Sequence, residues 1–533
     1  MPPHFLIIFS FFRLYHTELK GTISNKEQLK QEREAFHMQY RSTRGKMKES
    51  LNSAQAVIKG LAPDGGLYVP VNFPQVKLPL TKLSQMTYQE IAKIVLGWFF
   101  DDFTHDQLHK VVNDAYGSQW DQQQIAPLSV AHDGNYYLEL FHGPTLAFKD
   151  IALQVLPRLM TQAIKNEHND HQIVILTATS GDTGTASMRG FSDLSGTQVI
   201  VFYPHGGVSP VQLKQMLGQR GTNLSAIAIE GNFDDAQTAV KNIFNDVNFN
   251  QRLLDNHYQF SSANSMNIGR LIPQIVYYFS AYGQLVHRQA IKPGDPVNFT
   301  VPTGNFGDIL AGYYAKKLGL PIHKLICASN ENNVLTDFFT SGQYNRKRPF
   351  HLTNAPAMDI LVSSNLERLL FDVANENESI IQSLMQQLSE GGSYSVSSDI
   401  KAKLDQTFAA GFATQDEVRS EIKRIYTDDG YLIDPHTAVA SYVAKQYRQK
   451  QNDSTPNVIV STASPYKFPE TAIYALNDQK TAVTGIPAIK ELQTIIDQTL
   501  DSNVQTLFKM TTHEERVINP SSMEKTIAKI LEI

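Results

Sequence analysis

From Asn135 to Ala328 the chain repeats one rhythm: a short apolar run, a glycine-bearing turn, then a segment of helical period. The apolar runs fall at 172–179, 197–203, 224–230, 258–262, 297–301 and 324–328. Helical patterns follow at 210–217, 234–246, 268–286 and 309–318, and another opens after Gly184. Such alternation predicts an α/β fold of open, mainly parallel sheets flanked by helices. Ligands in these sheets sit where loops leave the carboxyl ends of the strands.

The flanks read differently. Residues 38–130 form a small, mostly helical domain, in which Pro63-Asp64-Gly65-Gly66 turns into a short strand. Thr87 and Glu90 have capping-box spacing, and the helix they open runs through Ile91, Ile94, Val95 and Trp98. A second helix spans 107–116. The α/β region covers 131–470, with a mainly helical insertion near 363–450 and a last strand at 458–461; the tail, 471–533, is helical. Residues 5–12 are apolar but too few for a bilayer, which needs about twenty. With no lysine or arginine before them and no clear cleavage site, they make a poor signal peptide. Residues 1–37 are therefore expected to lie outside the native fold, an upstream start having been chosen.

Four stretches bear chemistry. Lys149 ends the run Phe141-His142-Gly143-Pro144-Thr145-Leu146-Ala147-Phe148, just before a helix. It is either a surface lysine at a helix start or a buried amine able to lose its proton, as an imine-forming lysine must. Gly304-Asn305-Phe306-Gly307-Asp308 joins a strand to a helix. It is a structural turn or an anion cradle of inward N–H groups. It matches neither the dinucleotide fingerprint nor a P-loop.

Ser180-Gly181-Asp182-Thr183-Gly184, after Thr179, is similarly placed: Asp182 or Thr183 caps the helix, or the hydroxyls bind an anion. Asn264-Ser265-Met266-Asn267-Ile268-Gly269-Arg270 offers amides, a hydroxyl and an arginine at a third junction. Arg270 either pairs with a carboxylate or shares an anion with the helix dipole. His142 and His436 read as structural, Asp234 and Asp235 as a helix cap. No histidine pair has metal-ligand spacing, so no metal is expected. A net charge of -5 gives no reason to expect nucleic acid, and no segment suggests a membrane. The lone Cys327 points to a reducing, cytoplasmic setting.

Taken in order, these stretches resemble the threonine synthase family, pyridoxal-phosphate enzymes of fold type II. The further markers are Ser42-Thr43-Arg44-Gly45, Ser363-Ser364-Asn365-Leu366-Glu367-Arg368, Asp434-Pro435-His436-Thr437-Ala438 and the stretch 461–470. The resemblance implies two sheets, and pyridoxal phosphate held by Lys149 as an internal aldimine. Gly304, Asn305, Phe306, Gly307 and Asp308 would hold its phosphate, and Thr462 would sit by the pyridine nitrogen. Thr179, Ser180, Asp182 and Thr183 would surround the substrate's carboxylate; Asn264, Ser265 and Arg270 would receive its phosphate. The implied substrate is the small molecule O-phospho-L-homoserine, converted with water to L-threonine and phosphate. The alternatives are a related threonine or serine dehydratase, or a non-catalytic anion-binding relative. The family usually has histidine where this chain has Ser464, and serine where it has Thr303. Oligomeric state stays open.

Overall fold

The computed structural model describes residues 37–45, 50–76 and 78–533; the expectation for the amino-terminal extension falls, except for His37, outside them. The described chain opens on an antiparallel pair, β1 (Tyr40–Ser42) and β2 (Tyr68–Pro70). Helices Ser53–Lys59, Tyr88–Phe99 and His105–Ala115 each begin with a complete capping box, from Asn52, Thr87 and Thr104. Each box satisfies two orphan N–H groups, which is why these short helices start where they do. The buried face of Tyr88–Phe99 (Ile91, Ala92, Val95, Leu96, Phe99) packs on the long helix Ile268–His287.

Next come β3 (Leu128–Val130) and β4 (Asn135–Glu139), then β5 (Gln172–Ala178), β6 (Thr197–Pro204), β7 (Leu224–Ile229) and β8 (Tyr258–Ser261). They are followed by β9 (Val297–Pro302), β10 (Ile322–Ser329), and an antiparallel pair, β11 (Gln343–Asn345) and β12 (Ser393–Ser395). The last are β13 (Phe408–Phe412), β14 (Asn457–Ser461) and β15 (Val517–Ile518). Two larger sheets result, in the orders β13-β10-β9-β14-β4-β3 and β15-β7-β6-β5-β8. All their pairings are parallel except β3 with β4. β9 and β14 are buried at every position. Helices on both faces explain why they read as continuous apolar runs without alternation.

Two strands differ from expectation. β13 lies inside the insertion expected to be helical, yet pairs in parallel with β10 as an edge strand. Its sequence, Phe-Ala-Ala-Gly-Phe, has no period-2 signal, and pairing with a distant strand decides its conformation. β15 adds an edge to β7 from within the tail, and the helix after it, Met523–Leu531, buries Met523, Ile527 and Leu531 in the core of that sheet.

The short helix Lys149–Leu153 packs on Asp182–Phe191 with almost no room between them. A Cβ on Gly190 would stand 2.0 Å from the Leu153 carbonyl oxygen, where only glycine fits. Gly190→Ala must push the two helices apart and is expected to cost about 3 kcal/mol. Chemical denaturation reads this directly, and an unchanged midpoint would show the helices to be free to separate.

Candidate active site

The ends of β5, β8, β9 and β14 open onto one cavity of about 1150 Å³, counted out to its mouth. Lys149 lines it, with Thr179, Ser180 and Thr183 from the loop after β5 and Asn264, Ser265 and Arg270 from that after β8. Gly304, Asn305, Phe306, Gly307 and Asp308 enter after β9, and Thr462 after β14. Of the residues expected at the site, only Asp182 does not face this space.

Lys149 is the first residue of its helix, and the segment before it is clamped to the residues that follow β14. Phe148 N–H donates to the Thr462 carbonyl (2.8 Å) and Ser464 N–H to the Leu146 carbonyl (3.0 Å). Leu146 is held at φ 62, a conformation that costs a non-glycine residue energy and so marks a position fixed by its surroundings. The Lys149 ammonium donates to Asp182 Oδ2 (2.9 Å). Burial pushes this lysine below its usual range; Asp182 pulls the other way, and Lys467 and Arg270 add to the lowering. Asp182, which burial alone would raise, is held well below the usual carboxylate range by Lys149 and Lys467.

The loop after β9 keeps its carbonyls occupied and its N–H groups free. Ser363 Oγ donates to the Gly304 carbonyl (2.7 Å), and Asn365 donates twice to that of Asn305, from N–H (3.1 Å) and Nδ2 (3.0 Å). None of the N–H groups from Gly304 to Asp308 donates within the described residues. Phe306 takes φ 64 and buries its ring against Phe339, which turns the loop onto the start of helix Gly307–Lys317. These N–H groups and the helix's positive end form an anion cradle.

Asp308 stands behind it, accepting from the hydroxyls of Tyr277 (2.5 Å) and Tyr278 (2.8 Å), with Oδ2 unpartnered among the described residues. Burial pushes its carboxyl up to about 6. A carboxyl raised on folding stabilises below its unfolded value near 4 and loses that contribution as pH rises through about 6. Asp308→Asn should therefore gain stability over wild type from pH 4 to 6, level above that at roughly 3 kcal/mol. Unfolding of cofactor-free protein across that range checks it; a gain independent of pH would contradict it.

Arg270 is buried and has no carboxylate partner among the described residues. Its Nη1 donates to the Ala263 carbonyl (2.9 Å), its Nε finds no acceptor among the described residues, and burial lowers it to about 10. Beside it, Asn264 Oδ1 is also unpartnered, and Ser265 Oγ accepts from Asn365 Nδ2 (3.1 Å). Arg368, fully buried, ties this loop down by donating to the Met266 and Tyr68 carbonyls (2.6 and 2.9 Å). Thr179 Oγ1 accepts from Gly181 and Gly184 N–H (3.0 and 2.9 Å), shaping its own loop and leaving Ser180 and Thr183 as freer hydroxyls.

Sequence reasoning missed Lys467, fully buried behind Asp182, and the turn Pro356–Met358, which forms one wall. His436 also reaches the cavity, fixed by Asp434 Oδ1 at Nδ1 (2.7 Å) and accepting Ala357 N–H at Nε2 (3.1 Å). The fold also gathers Asp170, His171 and His257 within metal-ligand reach at the amino ends of β5 and β8, although His257 is far from the other two in sequence.

A buried amine and an anion cradle at parallel strand ends are the marks of an enzyme that holds a phosphorylated aldehyde cofactor. Three family models agree: "Threonine synthase N terminus" over 39–116, "Pyridoxal-phosphate dependent enzyme" over 124–463 and "Threonine synthase, C-terminal" over 437–526. Threonine synthase-like 1 of Homo sapiens is 42% identical over 434 residues, 79% of this chain; the chain spans 58% of that protein's length. Threonine synthase of Pseudomonas aeruginosa is 40% identical over 437 residues, covering 81% of this chain and 89% of its own. The crystal structure of pyridoxal-phosphate-bound threonine synthase from Brucella melitensis superposes with a TM-score of 0.81 at 37% identity, over 93% of this chain and all of that one. This chain belongs to the threonine synthase family.

Proposed function

We propose that this chain converts O-phospho-L-homoserine and water to L-threonine and phosphate, with pyridoxal phosphate bound at Lys149. The observation that carries this reading is Arg270: a buried guanidinium at the cavity, without a carboxylate partner and with an idle Nε. A buried cation in that state calls for an anionic ligand. The N–H cradle at Gly304 to Asp308 suits a second phosphate, that of the cofactor.

The cofactor, when bound, supplies an aldehyde carbon and an electron-withdrawing ring. Gly304, Asn305, Phe306, Gly307 and Asp308 would hold its phosphate, and Thr462 would supply a neutral hydroxyl by the ring nitrogen. Arg270, Asn264 and Ser265 bind the substrate's phosphate, and the Thr179, Ser180 and Thr183 hydroxyls bind its carboxylate. Lys149, once free, takes protons from Cα and Cβ and returns protons to the carbon chain; its lowered proton affinity suits both directions. The Cγ–O bond breaks and phosphate leaves, Cγ gains a proton, and the hydroxyl of water ends on Cβ. Among the described residues no helix is long and apolar enough to cross a membrane. The single, buried Cys327 fits a cytoplasmic setting.

Purified protein incubated with pyridoxal phosphate and O-phospho-L-homoserine should release threonine and phosphate in equal amounts. Phosphate accompanied by 2-oxobutanoate instead would make it an eliminating enzyme, and no phosphate at all would remove the reading.

A further inference from the structure

We propose that Lys467 is a positioning residue: it acts as the permanent counter-ion of Asp182, so that Lys149 can release both its proton and its tie to that carboxylate. The inference rests on Lys149 being the lysine that carries the cofactor.

Lys467 is fully buried and lies outside the cavity, on the far side of Asp182. Its three donors meet three acceptors: Asp182 Oδ1 (2.8 Å), the Thr145 carbonyl (2.8 Å) and Gln215 Oε1 (3.2 Å). Asp182 divides its oxygens accordingly. Oδ1 takes Lys467 and Gln212 Nε2 (2.8 Å), while Oδ2 takes Lys149 (2.9 Å). Without Lys467, Lys149 would be the only cation paired with a buried carboxylate. Each time Lys149 became neutral, that carboxylate would be left unpaired in the protein interior, which is strongly unfavourable. With Lys467 in place the carboxylate keeps a full partner throughout.

The charges around Lys149 bear this out. Asp182 faces it from helix Asp182–Phe191, Lys467 from the turn Pro465–Lys467, and Arg270 from helix Ile268–His287. Asp150, next on its own helix, is turned away to the N–H (2.7 Å) and hydroxyl (2.8 Å) of Thr145. Two lysines thus meet at the one carboxylate that Lys149 touches, Asp182, and Arg270 adds a third positive charge on the Lys149 side. Of the two lysines Lys149 is the one that yields, because it has one acceptor where Lys467 has three.

The chain builds this arrangement locally. Ser464 Oγ accepts Tyr466 N–H (3.3 Å) and so caps the turn that carries Lys467. Ser464 N–H also holds the Leu146 carbonyl, and Ala463 bridges Ala147. The two lysines are thus mounted on segments clipped to one another.

The test is competitive labelling of cofactor-free protein with acetic anhydride across pH, following the Lys149 peptide by mass spectrometry. In K467M the pH midpoint for Lys149 should rise by about one unit or more, because Asp182 then acts on Lys149 alone. K467R, which keeps the charge, should stay near wild type. If K467M does not fold, K467Q reads the same midpoint while keeping a donor for the Thr145 carbonyl. An unchanged midpoint in a folded, uncharged variant would overturn the inference and leave Lys467 a structural residue. The labelling needs no cofactor, so its failure is distinct from a failure to form threonine, which is measured separately.

Discussion

Lys149→Ala is expected to abolish turnover, by at least about 10⁴-fold, and with it the absorbance of cofactor joined to the protein. The size follows from the number of roles that meet at one atom. The amine is the covalent anchor and then the group that moves each proton, and among the described residues no other lysine lines the cavity to replace it. Lys467 is the nearest other amine at Asp182, but its donors are occupied and it lies behind the carboxylate. Loss of Lys149 should leave the fold intact, since its side chain makes one ion pair and Asp182 retains Lys467 and Gln212. Pyridoxal phosphate should still bind weakly through the Gly304 to Asp308 cradle. Retained turnover in a protein with unchanged circular dichroism would remove the basis of the proposed function.

Arg270→Ala should raise KM for the phosphorylated substrate by about 10² to 10³-fold and disturb cofactor binding far less. Truncating one side of a buried, charged hydrogen-bonded pair typically costs 2–5 kcal/mol, about 30- to 4000-fold, and the expected loss lies in the middle of that span. The free protein should tolerate the change, because Arg270 gives up only one hydrogen bond, to the Ala263 carbonyl. Arg270→Lys should recover part of the loss, as it restores the charge without the fork that grips phosphate. Steady-state kinetics with O-phospho-L-homoserine checks both variants. A KM unchanged in Arg270→Ala would place the phosphate elsewhere.

Much of this could be read from the amino-acid order, because the signals were local. The strands β5, β6, β9 and β10 are built around apolar runs, and the capping box at Thr87 fixes a helix start within four residues. The glycine loops were legible for the same reason, since each lies between a strand and a helix. What stayed hidden depends on pairing over long distances. β13 is a strand because β10 lies beside it, and β15 because β7 does. Asp182 was expected at the substrate's carboxylate, but Lys149 and the distant Lys467 hold both its oxygens. Lys467 gave no sign of its burial, since a lysine after Pro465-Tyr466 reads as a surface residue. Ser464, the departure from the family's usual histidine, proves to be the cap of that turn.

The central claim is that one buried amine, Lys149, carries the cofactor. Reduction of the pyridoxal-phosphate-loaded protein with borohydride, followed by peptide mass spectrometry, tests it most directly. The account predicts a single phosphopyridoxyl group, on Lys149. A label on another lysine, or none after loading, would contradict it.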